Sequence, residues 1–368
     1  MEKGHIDTLK DHLNQVEDPR INRKKLHLLG DILLLTVMAV ICGCEGWEEI
    51  ELFGTTRIAF LREHLSLPNG IPSHDTIRRV FMRLKPKSFE AMFLRWAGSL
   101  GADTGPDVIS LDGKTARGSH DKRNGKKAIH IVSAWANANS IVLGQVKVDD
   151  KSNEITAIPE LLDELDITGD IVTIDSMGCQ KSIAQKIIDY QADYVLSVKG
   201  NQPNLEAQIE QSFQLAKPEE IFETVEKDHG RIETRRCSVI RELKWVEAKE
   251  QWPSLNAIAK MDRKREIGDK TEEETTYYIT SLTSGAEDIA KAIRAHWGIE
   301  ASLHWSLDVT FREDHSRKRM GNSDQNFALV RKIALNLLKT DKTVKVGING
   351  KRLKAGWDTE YLLKILQF

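Results

Sequence analysis

The chain has 368 residues, of which 29% are charged and 40% are hydrophobic, and its formal net charge is −2. This length exceeds what one hydrophobic core usually serves, so we expect two or three domains. The near-neutral charge excludes a protein that coats nucleic acid with a wholly basic surface, so any DNA contact must come from local basic patches. The four cysteines lack a paired C-x-x-C spacing, which disfavours a zinc site or a disulfide framework.

The first hundred residues have an all-helical pattern. Apolar residues at helical spacing predict helices over 6–16, 24–44 and 47–60. The most apolar part, 32–44, is too short to span a bilayer and indicates a buried helix. A further helix over 77–84 should follow the N-cap Ser73. We assign 1–100 to a helical domain, and we interpret 101–107, rich in Gly, Asp and Pro, as a linker that separates two cores.

Strands and helices alternate after this linker. The predicted strands are 107–112, 128–135, 140–148, 170–175 and 193–198. The predicted helices between the later strands are 154–165 and 179–190. Three sequential strands followed by helix, strand, helix and strand indicate an α/β fold with a mixed sheet. We assign 107–199 to the first part of this core.

The segment 200–285 interrupts the alternation. It contains β-like runs at 234–240 and 275–282 with a charged stretch, 260–274, between them, so we predict a β-rich insertion. A helix from 286 to about 307 resumes the core. A basic loop, 312–319, and a helix over 326–339 follow. We assign 286–368 to the completion of the core.

Three acidic residues stand at positions that suit metal ligands. Asp112 ends the run Val-Ile-Ser-Leu-Asp, and Asp175 ends Asp-Ile-Val-Thr-Ile-Asp. An acid that closes an apolar strand lies at the C-terminal edge of the sheet, and Glu300 lies on the later helix. Carboxylates in such an arrangement are able to hold two divalent cations that activate a water or a 3′-hydroxyl against a phosphodiester. The simpler interpretation of Asp112 and Asp175 is that they cap a turn and a helix.

Three segments resemble those of DDE insertion-sequence transposases. They are Leu-Asp-Gly-Lys-Thr at 111–115, Ile-Asp-Ser-Met-Gly-Cys-Gln at 174–180 and His-Trp-Gly-Ile-Glu at 296–300. Within that family the chain is similar to the H-repeat-associated, Rhs-linked proteins. That similarity extends to Asp-Pro-Arg at 18–20, Trp-Glu-Glu-Ile at 47–50 and Phe-Arg-Glu-Asp-His-Ser-Arg at 311–317.

The resemblance implies a fold, a reaction and its partners. The fold would be a ribonuclease H-like mixed-sheet catalytic core with a β-rich insertion, preceded by an all-helical domain. Asp112, Asp175 and Glu300 would be both the catalytic and the metal-binding residues, holding two Mg²⁺ ions, with Mn²⁺ as a substitute. The reaction would cut transposon ends and join the 3′-hydroxyl to target DNA. The partners would be terminal inverted repeats, target DNA and a second copy of the chain, at the nucleoid in bacterial cytoplasm, without a membrane. The helical domain 1–100, helped by the insertion, would bind the inverted repeats.

The sequence departs from the family around the third acid. Related transposases have a Tyr, Arg, Glu, Lys signature there, whereas this chain has Ile293, His296, Glu300 and Leu307 at those positions. This departure leaves open a degenerate copy that only binds DNA. A ribonuclease H-like nuclease that cuts without strand transfer is a separate alternative.

Basic residues and one histidine are the candidates for DNA contact, with solvated surface charge as the simpler interpretation. The candidates are Arg78, Arg79, Arg83, Lys114, Arg117, His296, Arg312, Arg317, Lys318 and Arg319. Phosphate contacts of this kind position DNA and make its binding salt-dependent.

Overall fold

The computed structural model describes residues 5–21, 23, 25–101, 105–149, 152–228 and 230–366. Its first part is helical, as predicted, with α1 His5–Asn14, α2 Leu29–Ile41, α3 Trp47–Thr56, α4 Ile58–His64, α5 His74–Arg83 and α6 Pro86–Gly101. The Ser73 hydroxyl accepts a hydrogen bond from the backbone N–H of Thr76, so the predicted N-cap is confirmed. No described helix combines the length and the apolar character that crossing a membrane requires.

One nine-stranded sheet forms the centre of the molecule. Its strands are β1 Val108–Thr115, β2 His130–Ala136, β3 Ile141–Lys147, β4 Ile171–Ile174, β5 Asp193–Val198, β6 Glu220–Asp228, β7 Arg231–Ile240, β8 Ala257–Ile267 and β9 Lys270–Thr280. The spatial order is β3-β2-β1-β4-β5-β9-β8-β7-β6. β1, β4 and β5 run parallel, and the other neighbours are antiparallel. The predicted strand–helix order of the core is thus observed.

The predicted insertion continues this sheet. It opens with α9 Pro203–Leu215, and β9 pairs with β5 through the register Val195↔Thr280. The charged stretch 260–274, for which no strand was predicted, forms most of the β8–β9 hairpin. A basic run of β8, 263–265, faces an acidic run of β9, 272–274, with Arg263 opposite Glu274. Cross-strand ion pairs therefore support strands that an apolar pattern does not reveal.

Helices cover the sheet. Between its strands lie α7 Glu154–Asp163 and α8 Lys181–Asp189, and after the insertion comes α10 Ala286–Gly298. The predicted long helix over 286–307 changes to π-helical turns at Ile299–His304 and Ser306–Thr310. The chain ends in α11 Ser323–Thr340, α12 Ile348–Trp357 and α13 Thr359–Leu366.

The N-terminal and C-terminal helices share one hydrophobic core. Phe81, Phe93 and Trp96 belong to the same buried cluster as Phe327 and Leu335 of α11. The interpretation that the 101–107 linker separates two cores is therefore wrong, because α11 fills the space between the helical layer and the sheet. Removal of the first hundred residues would expose this shared core to water.

Candidate active site

Asp112 and Asp175 lie side by side because their strands are parallel neighbours. Leu111 of β1 is paired with Ile174 of β4, and each acid follows its paired residue directly. Asp175 accepts hydrogen bonds from the N–H groups of Met177 (3.0 Å) and Gly178 (3.4 Å), so it caps the turn after β4. The capping role and a place in a carboxylate cluster thus coexist in one residue.

A third carboxylate joins this pair, and it is Glu154. Among the described residues, the group whose ligand atoms all lie within 4.8 Å of one another is Asp112, Glu154 and Asp175. Glu154 is the first residue of α7, after the N-cap Asn153. The Glu154 Oε1 atom lies 2.5 Å from the His130 Nε2 atom, which fixes the direction of the carboxylate.

Gly113 makes room for this arrangement. A Cβ atom at this position would collide with the Glu154 carboxylate and the His130 ring. The absent side chain thus lets α7 deliver a carboxylate to the side of Asp112, just beyond the last residue pair of β1 and β4. Sequence analysis missed Glu154, since an acid at a helix start is most simply interpreted as a partner of the helix dipole.

The electrostatics of the cluster favour a cation. Burial, joined by the negative charges of Asp175, Glu300 and Glu154, raises the pKa of Asp112 to about 7. Burial, together with the charge of Glu154, also raises the pKa of Asp175. Converging carboxylates that resist ionisation are stabilised by a divalent ion, and oxygen ligands suit Mg²⁺ or Mn²⁺. The residues present therefore fit a divalent metal.

Glu300 lies near the cluster but outside the 4.8 Å group. Its charge contributes to the raised pKa of Asp112, which places it within electrostatic range. Glu300 is exposed and lies on the π-helical turn Ile299–His304. Such turns are rare in proteins and are frequently found at functional sites. The expectation that Glu300 reaches Asp112 and Asp175 stays a prediction.

Two histidines of the same helical segment point inward. The His296 Nδ1 atom lies 3.0 Å from the Thr173 hydroxyl, and burial lowers the pKa of His296 to about 4. The His304 Nδ1 atom lies 3.5 Å from Asp112 Oδ2. Burial and the charges of Lys332 and Lys114 lower the pKa of His304 to about 3, so this ring is neutral. His296 is bonded into the interior, and its predicted contact with DNA gains no support from this geometry.

The other acids near the third position form a separate cluster. Asp308, Glu313 and Asp314 surround the Lys114 amine at 2.7, 3.2 and 3.4 Å. They are therefore ion-pair partners of Lys114, and they do not belong to the carboxylate group around Asp112.

The two lysines that were predicted to contact DNA, Lys114 and Lys318, bind other groups of the protein instead. Lys114 is held by the three acids, with its side chain 11% exposed. The Lys318 amine donates to the backbone carbonyl of Glu45 and lies 3.9 Å from the centre of the Phe327 ring. Burial lowers the pKa of Lys318 to about 7. We therefore leave both lysines out of the DNA surface proposed below.

The remaining arginines come from three segments that the fold brings together. Lys126, in the loop after β1, donates to the carbonyl of Arg319 at 2.8 Å. Arg319 donates from Nε to the carbonyl of Gly118. The N–H of Asn322 donates to the carbonyl of Met82 in α5. The three predicted basic patches are thus neighbours, and their members in this region are Arg78, Arg79, Arg83, Arg117, Arg312, Arg317 and Arg319.

A groove of about 850 Å³ separates α10 from the outer strands β6–β9. Its cations are largely paired: Arg235 contacts Glu226 at 2.8 Å, and Arg263 contacts Glu274 at 3.6 Å. The groove is therefore close to charge balance, and participation of the insertion in DNA binding stays a prediction.

Comparison with known proteins assigns the family. A model described as “Transposase DDE domain” matches residues 103–337, and one described as “DDE_Tnp_1-associated” matches residues 10–97. The chain is 44% identical over 369 residues to the “H repeat-associated putative transposase YhhI” of Escherichia coli (strain K12), with 97% of each chain covered. This chain belongs to the DDE transposase family.

Further relatives agree with this assignment. The chain is 44% identical to the “Putative transposase YncI” of Escherichia coli O157:H7, over 98% of this chain and 95% of that protein. A short relative, the “Inactive transposase YbfQ” of Escherichia coli (strain K12), is 53% identical over 72 residues, which is 20% of this chain. The predicted resemblance to the H-repeat-associated group is confirmed, as is the ribonuclease H-like class of the DDE domain.

Proposed function

We propose that this DDE transposase cuts the ends of a DNA element and joins the freed 3′-hydroxyl to target DNA. The observation that carries the proposal is the cluster of Asp112, Glu154 and Asp175 where β1, β4 and α7 meet. The ligand oxygens of these three carboxylates all lie within 4.8 Å of one another, so their negative charges repel, and a bound cation would relieve that repulsion.

The proposed metal ligands are Asp112 and Asp175, with Glu154 beside them and Glu300 completing the set. Bound there, two Mg²⁺ ions, or Mn²⁺ in their place, would lower the pKa of an attacking water or hydroxyl and stabilise the leaving 3′-oxygen. Asp175 keeps its orientation through its two backbone hydrogen bonds. Glu300 is exposed on a π-helical turn, so we propose that its carboxylate moves onto the site when DNA is bound.

The proposed DNA surface runs beside this cluster. Arg117 lies two residues after the end of β1, and its side chain is 83% exposed. Arg79 and Arg83 lie on α5, and Arg317 lies in the loop that contacts both neighbouring segments. Guanidinium groups suit phosphate oxygens because they donate several hydrogen bonds in a fixed plane. We propose that terminal inverted repeats and target DNA bind here, on bacterial nucleoid DNA, with two copies of the chain in one complex.

A second function has a specific observation in its favour. Ile293 and Leu307, at the signature positions where relatives have Tyr and Lys, are 3% and 1% exposed. Both are core residues here, and neither is available to hold a DNA end. The second function that this observation favours is therefore that of a degenerate transposase, which binds DNA without cutting it.

An assay of DNA cleavage and joining separates the candidates. Labelled duplexes with the inverted repeats that flank the gene are incubated with Mg²⁺ and a target plasmid. Cleavage followed by joining is expected. Cleavage alone would support a nuclease of the same fold, and binding without cleavage would support the degenerate copy. Asp112→Asn and Glu154→Gln should each abolish cleavage, while a change at exposed Asp269 in the β8–β9 turn should not.

A further inference from the structure

Polar side chains occupy alternate positions of β1 and share one face of the sheet. They are Ser110, Asp112 and Lys114, and residues two apart on a strand face the same side. The helical segment 286–310 crosses this face. Asp112 and Lys114 each lie close to a turn of that segment, and Ser110 is joined to it through Thr173 of β4, so the strand and the helical segment are linked at three successive levels.

The first level joins β1 to α10 through a neighbouring strand. The Thr173 hydroxyl of β4 donates to the Ser110 hydroxyl at 3.0 Å, and it also contacts the His296 ring at 3.0 Å. All three side chains are largely removed from water. This level fixes the helical segment on the N-terminal side of Glu300.

The second and third levels lie on the C-terminal side of Glu300. At the second, His304 lies 3.5 Å from Asp112. At the third, the Lys114 amine contacts Asp308 of the π-helical turn at 2.7 Å. Glu313, which is 4% exposed, lies 3.2 Å from the same amine.

Glu300 thus lies between two fixed points. A slip of the helical segment by one residue would move its carboxylate by about 1.5 Å along the helix axis and by about 100° around it. A displacement of that size would prevent the Glu300 carboxylate from binding the metal, because Mg²⁺ demands oxygen ligands at near-ideal positions.

We propose that Lys114 is a positioning residue, whose ion pairs with Asp308 and Glu313 hold the helical segment that carries Glu300 in register along β1. The inference rests on the proposed function, since it supplies the placement that Glu300 needs for catalysis. It assigns Lys114 a role inside the protein in place of the DNA contact predicted from the sequence.

Three variants test this role. Asp308→Asn removes one ion pair at a side chain that is 37% exposed, Lys114→Arg keeps the charge, and Lys114→Met removes it. Lys87→Met is the control, because Lys87 is 91% exposed and pairs with Glu160 of α7 at 3.5 Å. Asp308→Asn keeps the test valid if Lys114→Met does not fold.

Two readouts separate positioning from other roles. In cleavage assays, Asp308→Asn and Lys114→Met should lower kcat at least tenfold with KM for DNA and the salt dependence of binding unchanged, and Lys114→Arg should recover part of the loss. A raised KM with a flatter salt dependence would instead mean a DNA contact, and an unchanged kcat would overturn the proposal.

Amide hydrogen exchange over 299–310 needs no activity. It should become faster in Asp308→Asn and Lys114→Met and stay unchanged in Lys87→Met. If the wild type does not cut DNA but exchange is still faster in these two variants, the proposed function is refuted and the held register is not. Unchanged exchange would refute the register, whether or not the wild type cuts DNA.

Discussion

Replacement of Asp112 by asparagine should stabilise the metal-free protein while it removes activity. Asp112 is a largely buried carboxyl among other acids, with its side chain 13% exposed, and the Asn side chain has nearly the same shape without the charge. Its Oδ1 atom accepts a hydrogen bond of 2.8 Å from the N–H of Gly113, which the Asn carbonyl oxygen is able to accept as well. The charge therefore changes while the local hydrogen bond stays.

The size of the effect follows from the pKa. The pKa of Asp112 rises from 3.8 to about 7, so the folded chain keeps a proton that the unfolded chain has already released in this window. Stability must therefore fall as pH rises from 3.8 to about 7. At roughly 1.4 kcal/mol per pKa unit, the raised pKa of Asp112 costs the folded state about 4 kcal/mol above this window, where Asp112 is ionised in both states. Near about pH 5, where only the unfolded chain has released the proton, the cost is about 1.5 kcal/mol.

Urea unfolding in the presence of EDTA measures this difference. Asp112→Asn should be more stable than the wild type at pH 8, by up to about 4 kcal/mol, with most of the gain absent at pH 5. Added Mg²⁺ should stabilise the wild type and have little effect on the variant. Asp269→Asn, in the exposed turn between β8 and β9, is the control and should change stability by less than about 0.5 kcal/mol. A variant less stable than the wild type at pH 8, or a gain independent of pH, would refute the reasoning.

Three further predictions concern the third acid, the DNA surface and the shared core. Glu300→Gln should lower cleavage at least a hundredfold, whereas Glu287→Gln on the same helix should leave it within twofold; equal effects in the cleavage assay would remove Glu300 from the site. Arg79→Ala with Arg83→Ala should reduce the slope of log K against log salt by about 0.9 for each phosphate interaction that the double change removes, and an unchanged slope in a binding titration would show that both arginines face solvent. A chain without residues 1–100 should lack a cooperative unfolding transition, because the core around α11 is shared; a sharp transition by circular dichroism would contradict this.

The β4 and β5 strands were predictable because each is an apolar run. The β1 strand does not end at Asp112 as predicted but continues to Thr115, because its last residues pair with β2. β5, Asp193–Val198, matches its prediction in both bounds, and β4 lies within the predicted 170–175. The β8 strand was not predictable in this way, because Arg263 and Arg265 are supported by acids of a partner strand. Which residues face each other across a hairpin depends on the register, and the register is a property of the fold.

The residues of the site likewise include some that the sequence predicts and others whose position depends on the fold. Asp112 and Asp175 were predictable, because a parallel pair of strands brings both ends to one edge of the sheet. Glu154 was not, because its approach depends on where α7 begins and on the absence of a side chain at Gly113. The inward position of Lys114 was also not predictable, since the sequence does not distinguish a lysine on the surface from one surrounded by buried acids.

Anomalous scattering from crystals soaked in Mn²⁺ would locate divalent ions at the meeting point of β1, β4 and α7. We expect strong anomalous peaks in contact with the carboxylates of Asp112 and Asp175, with Glu154 or Glu300 as a further ligand, and we expect these peaks to disappear in Asp112→Asn crystals. Peaks elsewhere, or none between these carboxylates at a saturating concentration of Mn²⁺, would contradict this expectation.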